Sequence, residues 1–293
     1  MAHEKLKKID ETTVIESVSK TADPTDAAEQ LALGNKYYNG EDVPQDYAKA
    51  AYWYTKAAEQ GNAEAQCNLG ICYSSGQGVQ KNNIKAVYWV TKAAKQRYAR
   101  AQFYLVFCYY IGDGVPRDYK KAVYWATKAA KQGYVPAQFQ LGSFYKDGCN
   151  IPQNNRKAVY WFTKAAKQGN ADAQFYLGYY YCGRLGVRQD YAKVVYWYTK
   201  AAEQGSSGAQ YELGNCYNDG LGVPQDYTKA VYWYSKAAEQ GNTNAQRELG
   251  NCYDKGQGVP QDNKKAAYWY TKAAEQEEYL NQLLKIGSKK NKT

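Results

Sequence analysis

The chain has 293 residues and a net charge of +10, with 44% apolar and 15% aromatic content, enough for one large domain or two ordinary ones. Its mean hydropathy of −0.76 and short apolar runs exclude a spanning helix of ~20 apolar residues, and 32 Tyr with 7 Trp argue against intrinsic disorder. The single histidine, His3, removes Ser-His-Asp triads, Cys-His pairs and the common catalytic zinc sites.

Residues 1–25 form a polar leader beginning MAHEKLKKID. It lacks the apolar h-region of a Sec-type signal peptide, so a cytoplasmic protein or delivery by a non-Sec route is expected. Beyond it the chain is periodic. The seven tryptophans, Trp53, Trp89, Trp125, Trp161, Trp197, Trp233 and Trp269, stand 36 residues apart. Seven units follow without insertion: 26–61, 62–97, 98–133, 134–169, 170–205, 206–241 and 242–277. Such a period is read as a repeat array before anything else.

Within 62–97, Ala65, Leu69, Cys72 and Tyr73 fall at i, i+4, i+7 and i+8, the apolar stripe of a helix A. Asn62 is its expected N-cap, and Gly76 and Gly78 end it. In the first unit Asp46 is the expected N-cap of a helix B whose stripe is Ala50, Trp53, Ala57 and Ala58; each unit has Asp or Asn in that slot. Pro44 precedes it, where a missing N–H costs little. A single helix pair cannot bury both stripes, but stacked pairs can. Gly70 recurs as Gly34, Gly142, Gly178, Gly214 and Gly250. Glycine in a helix costs about 1 kcal/mol against alanine, so a close approach of A to B is expected there. Val106 takes the slot in the third unit, and a wider local A–B spacing is expected. In the last unit Glu277 replaces the terminal glycine. Helix B then runs on through EEYLNQLLKIG, so that 278–293 is a C-terminal capping helix and basic tail, and Leu280, Leu283 and Leu284 make a stripe able to cap the stack.

Three strings carry a family resemblance: LGxxY (Leu69, Gly70, Tyr73), GxGVPQDY (Gly220 through Tyr227) and KAVYWYxKAAEQG (Lys229 through Gly241). Through them residues 26–277 resemble the Sel1-like repeat family, a relative of the tetratricopeptide repeat. Departures are local. Gln80 and Arg188 replace the loop proline, Arg97 and Glu277 the terminal glycine, and Gly183 is displaced by one residue. The resemblance implies an all-α, right-handed α/α solenoid of seven helix pairs with a C-terminal capping helix. It implies a non-catalytic protein–protein interaction scaffold or adaptor without metal or cofactor. Two alternatives remain open: a secreted bacterial effector using the same surface, and a hydrolase such as the β-lactamase activity claimed for the family's cysteine-rich branch. Glu275, Glu277 and Glu278 faintly resemble the acidic C-terminal stretch of some type IV effectors. The hydrolase reading is weakened because no Cys lies in any helix B, where that branch keeps half of each bridge.

Seven cysteines are present, and Cys72, Cys108, Cys216 and Cys252 share one slot. Neighbouring helices lie about 8–10 Å apart and disulfide Cα atoms within about 7 Å, so these are read as small buried apolar residues. Two lysines recur in every unit, Lys49 and Lys56 in the first. They read as a solvated flank, and the position of Lys49 near a helix N-terminus has no evident reason. Units two to four each carry a net charge of +4, partly through Lys95, Lys131 and Lys167 in a slot that is Glu elsewhere. A solvated flank, an acidic protein partner, and nucleic acid or lipid all fit; without Arg clusters or a recognised module nucleic acid is disfavoured.

By analogy with the tetratricopeptide superhelix, the concave groove is lined by helix A, two residues before and two and five after the Leu of LGxxY. In the first two units this offset selects Asn35 and Ile71. In the third it selects Phe103, Phe107 and Tyr110, in the fourth Phe139, Ser143 and Lys146. The fifth gives Phe175 and Tyr179, the sixth Tyr211 and Asn215, the seventh Arg247 and Asn251. The aromatic middle reads either as packing between repeats or as a groove for an extended or helical peptide, with Asn side chains at both ends to bond its backbone.

Overall fold

A computed structural model of the chain describes residues 24–148, 151–183 and 187–290, with side chains described through residue 278. The leader residues 1–23, Cys149 and Arg184 lie outside these, as do the side chains of the cap leucines Leu280, Leu283 and Leu284. The chain divides into two compact units at Gln96/Arg97. All regular structure among the described residues is helical.

The first unit holds α1 (Ala27–Asn39), α2 (Tyr47–Glu59), α3 (Ala63–Ser75) and α4 (Asn83–Lys95). The second holds α5 (Ala99–Phe107), α6 (Tyr119–Lys131), α7 (Val135–Asp147), α8 (Asn155–Lys167), α9 (Ala171–Tyr181), α10 (Tyr191–Glu203), α11 (Ser207–Asp219), α12 (Tyr227–Glu239), α13 (Thr243–Lys255) and α14 (Asn263–Lys290). Within each unit every helix packs on the helices before and after it. Odd-numbered helices are the A helices of the sequence repeat and even-numbered ones the B helices. The last B helix continues to Lys290, as the loss of glycine at Glu277 implies. α9 stops early, and the displaced Gly183 takes a φ of +82° just beyond it. α5 differs: its end opens into a π turn over Cys108–Gly112.

The caps follow the sequence. Asn62 Oδ1 accepts from the Ala65 N–H at 2.9 Å, and Asp46 Oδ1 from the Lys49 N–H at 3.0 Å. That backbone bond holds the Asp46 carboxyl below the usual carboxylate range, and the matching bonds do so for Asp118 and Asp226. For Asp190 the Lys193 ammonium is the larger cause. A folded pKa below the unfolded one gives a stabilisation that is present above the unfolded value of ~3.9 and lost as pH falls through the folded value. Asn82 and Asn154 cap α4 and α8 without titrating.

The recurrent lysine has its reason here. The ammonium of Lys49 lies 5.2 Å from the centre of the Tyr37 ring, and the same pairing recurs in all seven repeats, down to Lys265 over Tyr253 at 5.1 Å. Each such contact contributes about 0.5–1 kcal/mol at an exposed site. Where the N-cap is Asp, the same lysine also pairs with it, at 2.8 Å for Lys193 and Asp190.

The core sits one residue beyond the tryptophan. Trp53 and Trp197 are buried, whereas Trp89, Trp125, Trp161, Trp233 and Trp269 are half-buried. In the next slot Val90, Ala126, Phe162, Tyr198 and Tyr234 are essentially inaccessible. This slot meets the helical glycine: a Cβ on Gly142 would stand 2.7 Å from the Phe162 ring, and one on Gly178 2.4 Å from Tyr198. In the third repeat the sizes are exchanged. Val106 and Ala126 are buried in one cluster, which removes the reason for a wider spacing. A second glycine, Gly78, is needed because its loop leans on the preceding B helix. A Cβ there would lie 1.8 Å from the Tyr47 carbonyl oxygen, and Gly222 and Gly258 repeat the arrangement on Tyr191 and Tyr227.

Candidate partner-binding surface

The groove positions sit on the A helices beside that core. In the first unit Asn35 and Ile71 are half-buried. Asn35 Oδ1 accepts from the Tyr54 hydroxyl at 2.8 Å, so it is tied to the neighbouring B helix.

In the second unit the aromatics form linked pairs. Phe103 lies edge-on to Phe107 and Tyr134, with ring centres 5.0 and 5.4 Å apart. Phe139 packs on Phe162 and Tyr176 at 5.7 and 6.0 Å. Phe175 contacts Tyr198 at 5.8 Å, and Tyr211 contacts Tyr234 at 6.1 Å. Phe103, Phe139, Phe175, Tyr179 and Tyr211 are half-buried. Each of these phenylalanines therefore spends part of its surface on neighbouring helices.

The polar members are occupied locally. Asn215 and Asn251 accept from the hydroxyls of Tyr234 and Tyr270, both at 2.7 Å, and donate to Glu212 and Glu248. Ser143 donates back to the Phe139 carbonyl at 3.2 Å. Lys146 pairs with Asp147 and lies over the Tyr176 ring, and Arg247 pairs with Glu277. The Asn oxygens expected to bond a peptide backbone thus already hold tyrosines.

What stands open is the end of α5. Phe107 is 45% exposed, Tyr110 37% and Ile111 60%. Phe107 is the last residue of α5, and Tyr110 and Ile111 lie in the π turn. Tyr110 stacks on Phe144 of α7 at 5.7 Å, which fixes one of its faces. Ile111 was missed in the sequence, because its slot is ordinarily the polar end of the A helix.

One buried hydroxyl marks a departure from this pattern. Repeats with Tyr in the core slot and Asn on the facing A helix form the Tyr–Asn bond, whereas Tyr198 faces a repeat with Tyr179 in place of Asn. The Tyr198 hydroxyl finds no such amide among the described residues and has only the weakly hydrogen-bonding Cys182 thiol beside it. Leaving such a group unpaired costs about 1–3 kcal/mol. Tyr198→Phe is expected to stabilise the protein by about 1 kcal/mol, while Tyr234→Phe, which severs the bond to Asn215, destabilises it by about the same amount. Urea titration of both variants checks the opposite signs.

The thiols of the shared cysteine slot are buried and not disulfide-bonded. Burial pushes Cys72 and Cys252 up to about 11, and Cys108 and Cys216 up to about 12, so they remain protonated and act as packing groups. Among the described residues no cluster of three or more His, Cys, Asp or Glu is placed to hold a metal. No described helix is long and apolar enough to cross a membrane.

Seven successive matches to the Sel1 repeat model cover residues 26–62, 63–98, 99–134, 135–170, 171–206, 207–242 and 243–278. A search of curated proteins finds no match. Among solved structures, the chain is similar to a protective antigen of uropathogenic Escherichia coli that displays an SLR fold. Identity is 42% over 85% of this chain, with a TM-score of 0.83; the match spans about half, 54%, of that antigen. It is also similar to a Sel1 repeat protein from Oxalobacter formigenes, at 40% identity over 88% of this chain and 76% of the other, with a TM-score of 0.68. The fold is one typical of interaction scaffolds, and the chain belongs to the Sel1-repeat family.

Proposed function

We propose that the protein is a non-catalytic scaffold that binds a protein or peptide partner on the A-helix face of its second unit. The observation that carries this reading is the exposed aromatic and aliphatic cluster at the end of α5. Phe107, Tyr110 and Ile111 stand open to solvent on a scaffold whose other A-helix aromatics are at least half-buried. π turns within helices recur at functional sites, and clustered aromatics form the anchors of interfaces. Phe103 and Tyr134 buttress Phe107, while Phe144 backs Tyr110, so the anchors are held before a partner arrives and lose little freedom on binding. Phe139 and Phe175 continue the same row of slots with less free surface.

The test is affinity capture of the partner from lysate of cells that express the protein, followed by titration of the purified pair. Phe107→Ala with Tyr110→Ala is expected to weaken binding at least ~30-fold, the equivalent of about 2 kcal/mol, while the circular dichroism spectrum stays that of the parent. Phe139→Ala with Phe175→Ala has a mixed effect, because both rings also support α8 and α10. If the first pair leaves binding unchanged, the partner site lies elsewhere.

A further inference from the structure

A second surface, on the B helices of the second unit, has a different character. Each B helix displays an exposed tyrosine beside its tryptophan, which is buried in α10 and half-buried in the other B helices of this unit. Tyr160 and Tyr196 are 53% and 54% exposed, each edge-on to the next residue, Trp161 or Trp197, at 5.0 and 4.8 Å. Between α6 and α8 these rings border a cleft of about 350 Å³, entered past Lys131 and Lys164 and floored by the Gln138–Gln168 pair. One repeat later, between α8 and α10, an equivalent cleft of about 420 Å³ is bordered by Tyr196, Trp197, Lys167 and Lys200.

The charge of these clefts is specific to the middle repeats. In the fifth and seventh repeats the recurrent lysine meets a Glu three residues on, Lys200 with Glu203 at 4.0 Å and Lys272 with Glu275 at 3.9 Å. In the third and fourth repeats that Glu is replaced by Lys131 and Lys167. Lys131, Lys164 and Lys167 form no ion pair with any described residue. Two lysines from successive B helices therefore converge on the cleft between α6 and α8 with nothing to neutralise them.

We propose that this face binds an acidic, proline-rich segment of a partner protein in the polyproline II conformation, one turn per cleft. Three observations select that occupant. Exposed Tyr–Trp clefts are the surfaces that take the flat, rigid rings of polyproline II segments. Unneutralised lysines at the cleft rim call for a carboxylate on the same ligand. The periodicity also fits: the cleft recurs once per repeat, and a polyproline II helix returns the same face every three residues. A Pro-Pro-Glu rhythm thus presents a ring to the aromatic pair of each cleft and a carboxylate to the unpaired lysines at each rim, Lys131 and Lys164 at the first and Lys167 at the second. This surface is separate from the A-helix cluster of the proposed function and stands or falls independently of it.

The test uses the full chain and synthetic peptides, read by tryptophan fluorescence and calorimetry. A repeating Pro-Pro-Glu peptide is expected to bind and to shift the tryptophan emission. A Gly-Ser-Glu peptide of equal charge should bind at least about tenfold more weakly, because it must be ordered on binding. A Pro-Pro-Gln peptide should be weaker too, and nearly insensitive to salt. Tyr160→Ala with Tyr196→Ala removes solvent-exposed rings and is expected to abolish Pro-Pro-Glu binding while the helical spectrum is kept. Lys131→Glu with Lys167→Glu should abolish it at low salt, and Phe107→Ala should leave it intact. Equal binding of Gly-Ser-Glu would overturn the proposal in favour of a plain basic patch. Stronger binding of single-stranded DNA or an anionic polysaccharide, or no binding of any peptide, would also overturn it.

Discussion

Gly142→Val is expected to cost the protein about 3 kcal/mol or more, and adding Phe162→Ala is expected to restore most of that loss. The glycine lies in α7 where its absent Cβ would come within 2.7 Å of two carbons of the Phe162 ring. That ring cannot retreat. It is fully buried, stacked on Tyr176 at 5.1 Å and wedged against Phe139 and Tyr180. Overpacking of this kind costs about 1–3 kcal/mol and occasionally more. Phe162→Ala alone opens a cavity and costs about 3–5 kcal/mol. The double variant recreates the pair that the third repeat already carries, Val106 facing Ala126. The two changes should therefore be strongly non-additive, with a coupling of about 5 kcal/mol, since the single costs sum to about 6 or more and the double variant keeps about 1. Denaturant unfolding of the two single variants and the double one measures it. Additive losses would mean that the glycine is required for a reason other than the size of its partner.

The same pair shows how much of the fold was legible beforehand. The helix boundaries, caps and B-helix extension followed from local chemistry: Asn62, Asp46, the loop glycines and Glu277 each act within a few residues of themselves. The glycine slot announced a close approach, but not what it approaches. Its partner lies 20 residues on, beside a tryptophan conspicuous enough to draw the core reading to itself. Trp161 is half-buried while Phe162 is not exposed at all. Size exchange between Gly142 with Phe162 and Val106 with Ala126 was present in the sequence as covariation between repeats, and only a pairwise comparison of slots would have found it.

The candidate surface was legible in part. The offset borrowed from tetratricopeptide repeats reached Phe107 and Tyr110, which are open, and also Phe139 and Phe175, whose rings lean on the next helix. A slot rule fixes direction along a helix, whereas exposure depends on what the neighbouring helix presents. The π turn at Cys108–Gly112 changes that direction locally and brings out Ile111; no repeat average contains it. The lysine slot of Lys49 was puzzling as an isolated helix position. It became intelligible once the ring of Tyr37, on the preceding helix, was seen beneath the ammonium.

Gln138→Leu is expected to destabilise the protein by about 2–3 kcal/mol, and Gln246→Leu by only about 1. Glutamine occupies this A-helix slot in all seven repeats, and all seven are nearly inaccessible, with Gln138 at 3%. Such burial is rare for so polar a side chain unless its bonds are made. They are made to both flanking B helices, one across repeats and one within the repeat. Gln138 Nε2 donates to the Ala130 carbonyl of the preceding B helix at 3.1 Å, and its Oε1 accepts from Gln168 of its own B helix at 2.7 Å. The same two bonds hold Gln174 and Gln210. One amide therefore ties together three successive helices and satisfies a carbonyl at a helix end. Leucine fills the volume but strips the Gln168 amide of its partner and leaves the Ala130 carbonyl with the Gly133 N–H at 3.1 Å, and each lost bond at a buried group costs about 1–3 kcal/mol unless water reaches it. At the last repeat only half of the arrangement exists. Gln246 Nε2 still donates to Ala238 at 3.1 Å, while its Oε1 is buried without a hydrogen bond among the described residues. Removing that orphaned oxygen offsets part of the loss, so the penalty is smaller. Urea unfolding of the two variants side by side measures the difference; equal penalties would show that the Gln–Gln bond within the repeat contributes nothing, and that the recurrent amide matters only through the backbone carbonyl it caps.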